Sequence, residues 1–157
     1  MADTLLERLD KWVTEQPTKT LFTFLGDDGK ESAVLSYADL HARTSAIAKT
    51  MRMDKSEGGW GIQAKERVLL VYPPSLDFIV AYVACLRAGV IAVPVFPPHP
   101  GKLRKDLQHF ASMHESSGAT VALTNTMYNW AKKVSGIKAA FSKDKKQWPD
   151  VRWFLTD

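Results

Sequence analysis

The sequence predicts an α/β fold with a mostly parallel sheet and flanking helices. Short apolar segments with strand character alternate with segments whose apolar residues recur at helical spacing. One segment, Arg67–Tyr72, is continuously apolar after its first residue, which is typical of a strand buried on both faces of a parallel sheet. Because strand, helix and strand follow each other in turn, neighbouring strands are expected to be parallel and joined by right-handed crossovers.

The first third of the chain predicts two helices and a hairpin. Apolar residues from Leu5 onward lie on one helical face, and Pro17 ends that helix. Thr20–Gly26 has the residues of a strand, and Asp27–Lys30 those of a turn before a second short strand. Ser36 is placed to cap a helix whose apolar stripe consists of Leu40, Thr44, Ile47 and Met51.

The rest of the chain predicts alternating strands and helices after a polar, glycine-rich loop. Gly89 and Gly118 follow the apolar stripes of two helices and are placed to end them, and Gly136 is expected to interrupt the last helix. The elements, in order, are the loop Lys55–Glu66, a strand at Arg67–Tyr72, a helix at Leu76–Arg87, a strand at Val90–Val95, a helix at Lys102–Ser116, a strand within 119–125, a helix at Thr126–Phe141 and a last strand from Val151.

The segment Gly59–Ala64 matches the G-x-G-x-x-A pattern of dinucleotide-binding loops. That pattern works when a strand precedes it and a helix follows, because the pyrophosphate then meets a helix N-terminus. Here a helix precedes and a strand follows. A flexible surface loop is therefore the favoured interpretation.

The other side chains capable of chemistry are interpreted as structural. The four histidines lack the spacing of metal ligands, so no metal site is expected. Cys85 lies in the most apolar helix and is expected to be an inert core residue, and Trp148 and Trp153 to pack in the core or an interface. The basic clusters are expected to form a solvated face, with a weak anion-attracting surface as the alternative. They consist of Lys102, Arg104 and Lys105, then Lys132 and Lys133, then Lys143, Lys145 and Lys146.

Composition narrows the class of protein. Of 157 residues, 45% are hydrophobic and 24% charged, as in globular proteins. The net charge of +4 is too small to indicate a dedicated nucleic-acid binder. No apolar run approaches the ~20 residues that span a bilayer, and the start of the chain lacks the features of a signal peptide. A single cysteine fits a reducing compartment, so a cytoplasmic location is expected.

Two motifs resemble those of the adenylate-forming superfamily, which includes acyl-CoA synthetases and the adenylation domains of peptide synthetases. Leu35–Leu40, "LSYADL", resembles its first core motif with Asp39 in place of the usual Glu, and Leu86–Phe96, "LRAGVIAVPVF", resembles its second. The segments "VYPPSLDFI" and "VPVFPPHP" resemble one branch, the fatty acyl-AMP ligases. The resemblance extends over about Leu5 to Asp157 and implies the N-terminal part of the family's large AMP-binding domain.

The resemblance implies an enzyme in the parent protein and no catalytic residue in this chain. The parent would join a fatty acid to ATP, with Mg²⁺, and pass the acyl group to a carrier-protein thiol rather than to free coenzyme A. The family's Ser/Thr/Gly-rich ATP loop with Pro-Lys-Gly is missing from the 157 residues, as are its later catalytic motifs and its C-terminal lid domain. The chain is therefore expected to bind no metal, ATP or other cofactor by itself, and to be inactive.

The one candidate substrate-pocket segment is the rigid loop Phe96-Pro97-Pro98-His99. It follows the end of a predicted parallel strand, where ligands bind in open α/β sheets, although loop rigidity alone explains the prolines equally well. The alternative to an enzyme part is a non-enzymatic scaffold or interaction module. The strands are expected to leave an exposed apolar face, chiefly at Trp153 and Leu155, through which the chain self-associates.

Overall fold

A computed structural model describes residues 3–99, 103–140 and 148–157 and confirms the α/β class. The described chain forms two compact units. The first contains α1 (Leu5–Glu15), β1 (Thr20–Leu25), β2 (Glu31–Ser36), α2 (Tyr37–Arg52) and α3 (Leu76–Ala88). The second contains β3 (Arg67–Val71), β4 (Ile91–Val95), α4 (Leu103–Ser117), β5 (Val121–Thr124), α5 (Thr126–Ala140) and β6 (Arg152–Leu155).

Helix α2 is the centre of the first unit, packing against α1 and α3. Ser36 begins it with a capping box: the Ser36 hydroxyl accepts from the Asp39 amide, and the Asp39 carboxylate accepts from the Ser36 amide, both at 3.1 Å. The predicted stripe is confirmed, because Leu40, Thr44, Ile47 and Met51 are all buried. The predicted hairpin is confirmed as the antiparallel pair β1–β2.

Helix α3 is less buried than its apolar sequence predicts. Val83 and Cys85 are buried, but Phe78, Ile79 and Leu86 are only half-buried. These three lie at helical spacing on one stripe with Tyr82, which is 38% exposed, so solvent reaches that stripe. As predicted, Gly89 ends the helix in the left-handed region, with φ +67°, where glycine has no Cβ to strain.

The glycine-rich loop lies at the surface as expected, with residues 55–58 and 63–65 exposed, but its middle is bonded to α2. Backbone amides of Trp60, Gly61 and Ile62 donate to carbonyls in and just after the last turn of α2 at 2.8–2.9 Å, and Ile62 is fully buried. A Cβ on Gly59 would lie 2.1 Å from the Met53 carbonyl oxygen. Glycine is therefore required there by close backbone packing. The segment does lie between a helix and a strand, the order that argued against dinucleotide binding.

The second unit is built on a four-stranded parallel sheet in the order β4-β3-β5-β6. The predicted parallel pairing of β3 with β4 is confirmed, with Arg67 opposite Ile91 and Val71 opposite Val95. Strand β4 contains Pro94 and lies at one end of the order, where a missing backbone donor is tolerated. Helix α5 continues through Gly136 without the expected interruption, while Phe141 lies outside the described residues.

The core of this second unit lies between the central strands and the helices α4 and α5. Leu69, Val71 and Phe110 are fully buried there with Ala122 and Tyr128. Trp148 and Trp153 pack against this cluster, which confirms their structural role. The expectation that Trp153 is strongly exposed is wrong, because its ring stacks on Phe110 at 6.2 Å. Leu155, two residues on, is 40% exposed as expected.

Candidate functional site at the carboxyl edge of the sheet

The carboxyl ends of the four parallel strands bring Tyr72, Phe96, Asn125 and Thr156 to one edge of the sheet. From β3 the chain goes to β4 on one side, and from β4 it goes to β5 on the other side of β3. This reversal between β3 and β5 is a topological switch point. Ligands of open α/β sheets bind in the crevice outside the strand ends at such a point. The edge is therefore the candidate site.

Hydrogen bonds join the ends of three strands. The buried Thr124 hydroxyl donates to the Val71 carbonyl at 2.7 Å, which joins β5 to β3. The Thr156 amide donates to the Thr124 carbonyl at 3.1 Å, which joins β6 to β5. The hydroxyls of Tyr72 and Thr156 share a hydrogen bond of 2.8 Å. Since each polar group here has a partner within the protein, these residues form a rigid floor to the edge.

The start of α5 forms one side of the edge. The Asn125 side-chain oxygen accepts from the Tyr128 amide at 3.0 Å, as at a helix N-cap. The Asp157 carboxylate accepts from the amide and the hydroxyl of Thr126 at 2.9–3.1 Å. A carboxylate at this position is stabilised by the partial positive charge of a helix N-terminus.

The predicted loop Phe96-Pro97-Pro98-His99 lies at this edge and exposes its two ends. The Phe96 side chain is 75% exposed and His99 is exposed, whereas Pro97 is half-buried and Pro98 is buried. The two prolines therefore anchor the loop, while the Phe96 ring and the His99 imidazole face solvent.

One peptide group of this loop is bonded on both sides. The Tyr128 hydroxyl of α5 donates to the Pro98 carbonyl at 2.8 Å, and the Asp106 carboxylate of α4 accepts from the His99 amide at 2.9 Å. The carbonyl and the amide belong to the same peptide unit. Two helices thus fix the orientation of the Pro98–His99 peptide group, in addition to the restriction that proline places on the backbone.

Tyr128 is suited to remain a donor. Burial raises the pKa of its hydroxyl above the ordinary value, and the nearby Asp106 charge acts in the same direction. Neither Tyr128 nor Asp106 was predicted from the sequence. No local pattern marks them, because their partners are 30 and 7 residues away and meet them only in the folded chain.

A second polar cluster joins the three helices of the first unit. The Arg87 guanidinium donates to both oxygens of Asp10, and its Nε donates to the buried Thr44 hydroxyl at 2.9 Å. The His41 Nδ1 lies 3.2 Å from Asp10 and from Arg87. The hydrogen bond from Arg87 is the chief cause that holds the pKa of Asp10 below its ordinary value. Because this polar cluster links α1, α2 and α3, its role is structural.

The prediction that Cys85 is an inert core residue is confirmed, whereas the expectation that Lys132 belongs to a solvated face is wrong, because it is half-buried with its Nζ 3.4 Å from the centroid of the Trp153 ring. Cys85 is fully buried, and burial raises the pKa of its thiol to about 12, so it is no nucleophile. Among residues 3–99, 103–140 and 148–157, no group of three or more His, Cys, Asp or Glu is placed to hold a metal ion. Several members of the predicted basic clusters lie outside the described residues, namely Lys102, Lys143, Lys145 and Lys146.

Among residues 3–99, 103–140 and 148–157, the edge brings together no group of three acidic side chains that could hold Mg²⁺. Its carboxylates, Asp106 and Asp157, both accept from backbone amides. Mg²⁺ in nucleotide sites is held by one or two carboxylates together with substrate phosphates. Two carboxylates that already accept from backbone amides do not fit this role, and no metal-dependent step follows from the edge. What the edge offers is a rigid surface with an exposed ring and an exposed imidazole.

Comparisons with known proteins agree with this architecture. The model of the AMP-binding enzyme family matches residues 9–153. The medium-chain-fatty-acid–[acyl-carrier-protein] ligase JamA of Moorena producens is 30% identical over 98% of this chain, and the match covers 24% of JamA. Human Disco-interacting protein 2 homolog B is 32% identical over 86% of this chain and 8% of its own length. The chain thus spans a quarter or less of these relatives.

Solved structures of longer proteins also contain a region similar to this chain. The fatty acyl-adenylate ligase of L. pneumophila, in complex with acyl adenylate and pyrophosphate, is 25% identical with a TM-score of 0.74, covering 99% of this chain and 24% of the ligase. The McyG A-PCP structure, at 19% identity and a TM-score of 0.72 over 98% of this chain and 22% of its own, shows the shared fold alone. In the part of the chain that the structure describes, no helix is long and apolar enough to cross a membrane. With nearly its whole length matched, the chain belongs to the AMP-binding enzyme family and resembles the fatty acyl-AMP ligases.

Proposed function

We propose that the chain is the N-terminal segment of a cytoplasmic fatty acyl-AMP ligase. One observation carries the proposal: JamA and the L. pneumophila ligase, found by separate comparisons of sequence and of structure, both act on fatty acyl groups by name. In the proposed reaction a fatty acid carboxylate attacks the α-phosphate of ATP and gives acyl-adenylate and pyrophosphate. The acyl group then passes to the thiol of an acyl carrier protein.

The chain's own contribution would be to bind and orient, with ATP and Mg²⁺ held elsewhere in the longer protein. The Phe96–His99 loop would supply a rigid wall at the edge where the strands end. Tyr128 and Asp106 would keep that wall in position through the Pro98–His99 peptide group. Positioning groups of this kind lower the entropic cost of reaching the transition state.

Fatty-acid-dependent exchange of labelled pyrophosphate into ATP tests the function. The full-length product of the gene is expected to catalyse exchange, and the purified 157-residue chain is expected not to. Exchange by the 157 residues alone would show that they contain a phosphate site that their motifs do not reveal. No exchange by the full-length product with any fatty acid would contradict the proposed reaction.

A non-enzymatic scaffold or interaction module is the second candidate. It is favoured by one observation, the 32% identity over 86% of this chain to human Disco-interacting protein 2 homolog B, a relative that is named for an interaction. The same exchange assay on the full-length gene product decides between the two, since a scaffold gives no exchange even when it is folded.

A change at Phe96 tests the site separately from the function. In the full-length protein, Phe96→Ala is expected to raise KM for the fatty acid about tenfold with little change in kcat, because a ground-state contact is removed. Leu25→Ala is the matched control, since Leu25 is 56% exposed on the hairpin of the other unit. An unchanged KM in Phe96→Ala would remove the loop from the site and leave the reaction untouched.

A further inference from the structure

Helix α5 carries a surface patch that is both apolar and basic. Met127 and Trp130 lie one turn apart and are 64% and 67% exposed. Lys133, one turn further along, is also exposed. Residues three apart are neighbours on a helix surface, so these three side chains form one patch, the α5 patch.

The opposite side of α5 is packed within the second unit. Tyr128 is buried and donates to the Pro98 carbonyl, and the Nζ of Lys132 lies over the Trp153 ring. Because Tyr128 and Lys132 are four residues apart, they share one face of the helix. Only the α5 patch is therefore available to a partner from outside the unit.

The spacing of the exposed residues disfavours docking into a groove of another protein. A helix that lies in such a groove uses apolar anchors at positions i, i+3, i+4 and i+7. Counted from Met127, Trp130 is at the second of these positions and is exposed, but Ala131 and Val134 at the last two are half-buried. Two anchors within one turn make a shallow contact, which suits a flat surface.

The charge of α5 favours an anionic surface. The helix contains three lysines and no aspartate or glutamate, whereas the net charge of the whole chain is only +4. Lysines close to a membrane are attracted by anionic lipid headgroups. Tryptophan is enriched at the level of the headgroups, because its ring is apolar and its N–H is polar. The α5 patch combines both kinds of side chain.

We propose that the α5 patch docks the protein onto the surface of an anionic lipid bilayer, with Met127 and Trp130 in the headgroup layer and Lys133 against the lipid anions. The contact is peripheral and reversible, because the patch buries far less apolar surface than a membrane-spanning helix. The inference goes beyond the proposed reaction and does not rest on it. For an enzyme that acts on fatty acids, docking would bring the Phe96–His99 loop, which is bonded to α5, close to the lipid.

Flotation of the full-length gene product with lipid vesicles tests the proposal. One set consists of phosphatidylcholine, and the other contains about one third phosphatidylserine. Binding to the anionic set is expected to be at least about tenfold tighter in about 0.1 M salt, and to weaken in about 1 M salt, where charges are screened beyond ~3 Å. Equal binding to both sets would overturn the proposal. Failure of the folded protein to bind either set would also overturn it, in favour of an acidic protein as the partner.

Two pairs of variants locate the contact. Lys133→Glu is expected to weaken binding to the anionic vesicles at least about tenfold, whereas Lys30→Glu, an equal charge change at the exposed hairpin turn, is expected to weaken it less than about twofold. Trp130→Ser is expected to weaken binding about tenfold, and Leu25→Ser, at a side chain that is 56% exposed on the hairpin, to leave it unchanged. All four residues are exposed, so circular dichroism is expected to show folded variants. Equal losses within either pair would overturn the proposal.

Discussion

At the residue scale, Cys85 shows how burial alone determines reactivity. Its thiol is fully buried in α3, and a thiol-specific reagent at pH 8 is expected to modify it only when the protein unfolds. In urea the same reagent is expected to react within seconds, which provides the control. Rapid modification of the native chain would show that α3 is not packed as described.

The raised pKa of Cys85 also has a consequence for stability. The folded protein holds the thiol proton up to a pKa of about 12, whereas the unfolded chain releases it near 9.0. A raised pKa contributes stability that is fully present below the unfolded pKa and is lost as pH rises towards the folded pKa. Relative to Cys85→Ala, the native chain is therefore expected to lose free energy of unfolding progressively above pH 9. Parallel pH profiles for the two proteins would contradict this.

At the element scale, the Pro98–His99 peptide group predicts how the candidate loop is held. Tyr128→Phe removes the donor to a buried carbonyl and is expected to cost about 1–3 kcal/mol of stability. Hydrogen exchange of the His99 amide is expected to accelerate as well, since the same peptide unit loses one of its two bonds. Tyr82→Phe, on the exposed stripe of α3, serves as the control for loss of a tyrosine hydroxyl.

The loop after α2 gives a second prediction at this scale. Gly59→Ala would place a methyl group 2.1 Å from a backbone oxygen, so the backbone must move, and the expected cost is about 3 kcal/mol. Gly29→Ala is the control: no atom lies within 4 Å of its added methyl group, and only the left-handed backbone, φ +75°, costs about 1–2 kcal/mol. Urea denaturation measures both. Equal losses would mean that the Gly59 contact is relieved by a small shift.

The sequence was sufficient for the elements because each is encoded locally. Ser36 and Asp39 form their capping box within one turn, and Gly89 ends α3 by its own backbone freedom. The burial of individual side chains could not be predicted from the sequence, because it depends on partners that are distant in the chain. Helix α3 is apolar nearly all round, and no local pattern says which stripe stays half-covered. Trp153 was expected at the surface because its stacking partner, Phe110, is 43 residues earlier in the chain.

The candidate site was predictable only in part, for the same reason. The Phe96–His99 loop was found because strand ends and prolines are visible in sequence. Tyr128 and Asp106 were not found, because a hydroxyl and a carboxylate acquire their roles from a peptide group on another element. The assignment of the Phe96–His99 loop as substrate-binding stays a prediction until the Phe96 variant is measured.

At the scale of the whole molecule, exposed apolar side chains predict self-association. Large ones include Phe96, Trp130 and Leu155, at 75%, 67% and 40% exposed. Sedimentation over a concentration series is expected to show a rising average mass, because exposed large apolar side chains favour association. Leu155→Lys, on the end strand β6, is expected to weaken association more than Leu25→Lys on the hairpin. A monomer at all concentrations would favour a stand-alone module instead.

The position of Pro94 limits what such association through the sheet can produce. In the language of polymer chemistry, a unit with one reactive end stops at dimers, whereas a unit with two reactive ends grows into chains. Strand β4 at one end of the sheet carries a proline, which lacks the amide hydrogen that an added strand would need, and β6 is at the other end. Pro94 thus makes β4 the less reactive end of the sheet, and association through β6 is expected to stop at dimers. In Pro94→Val both ends are expected to be reactive, and sedimentation is expected to show species larger than dimers.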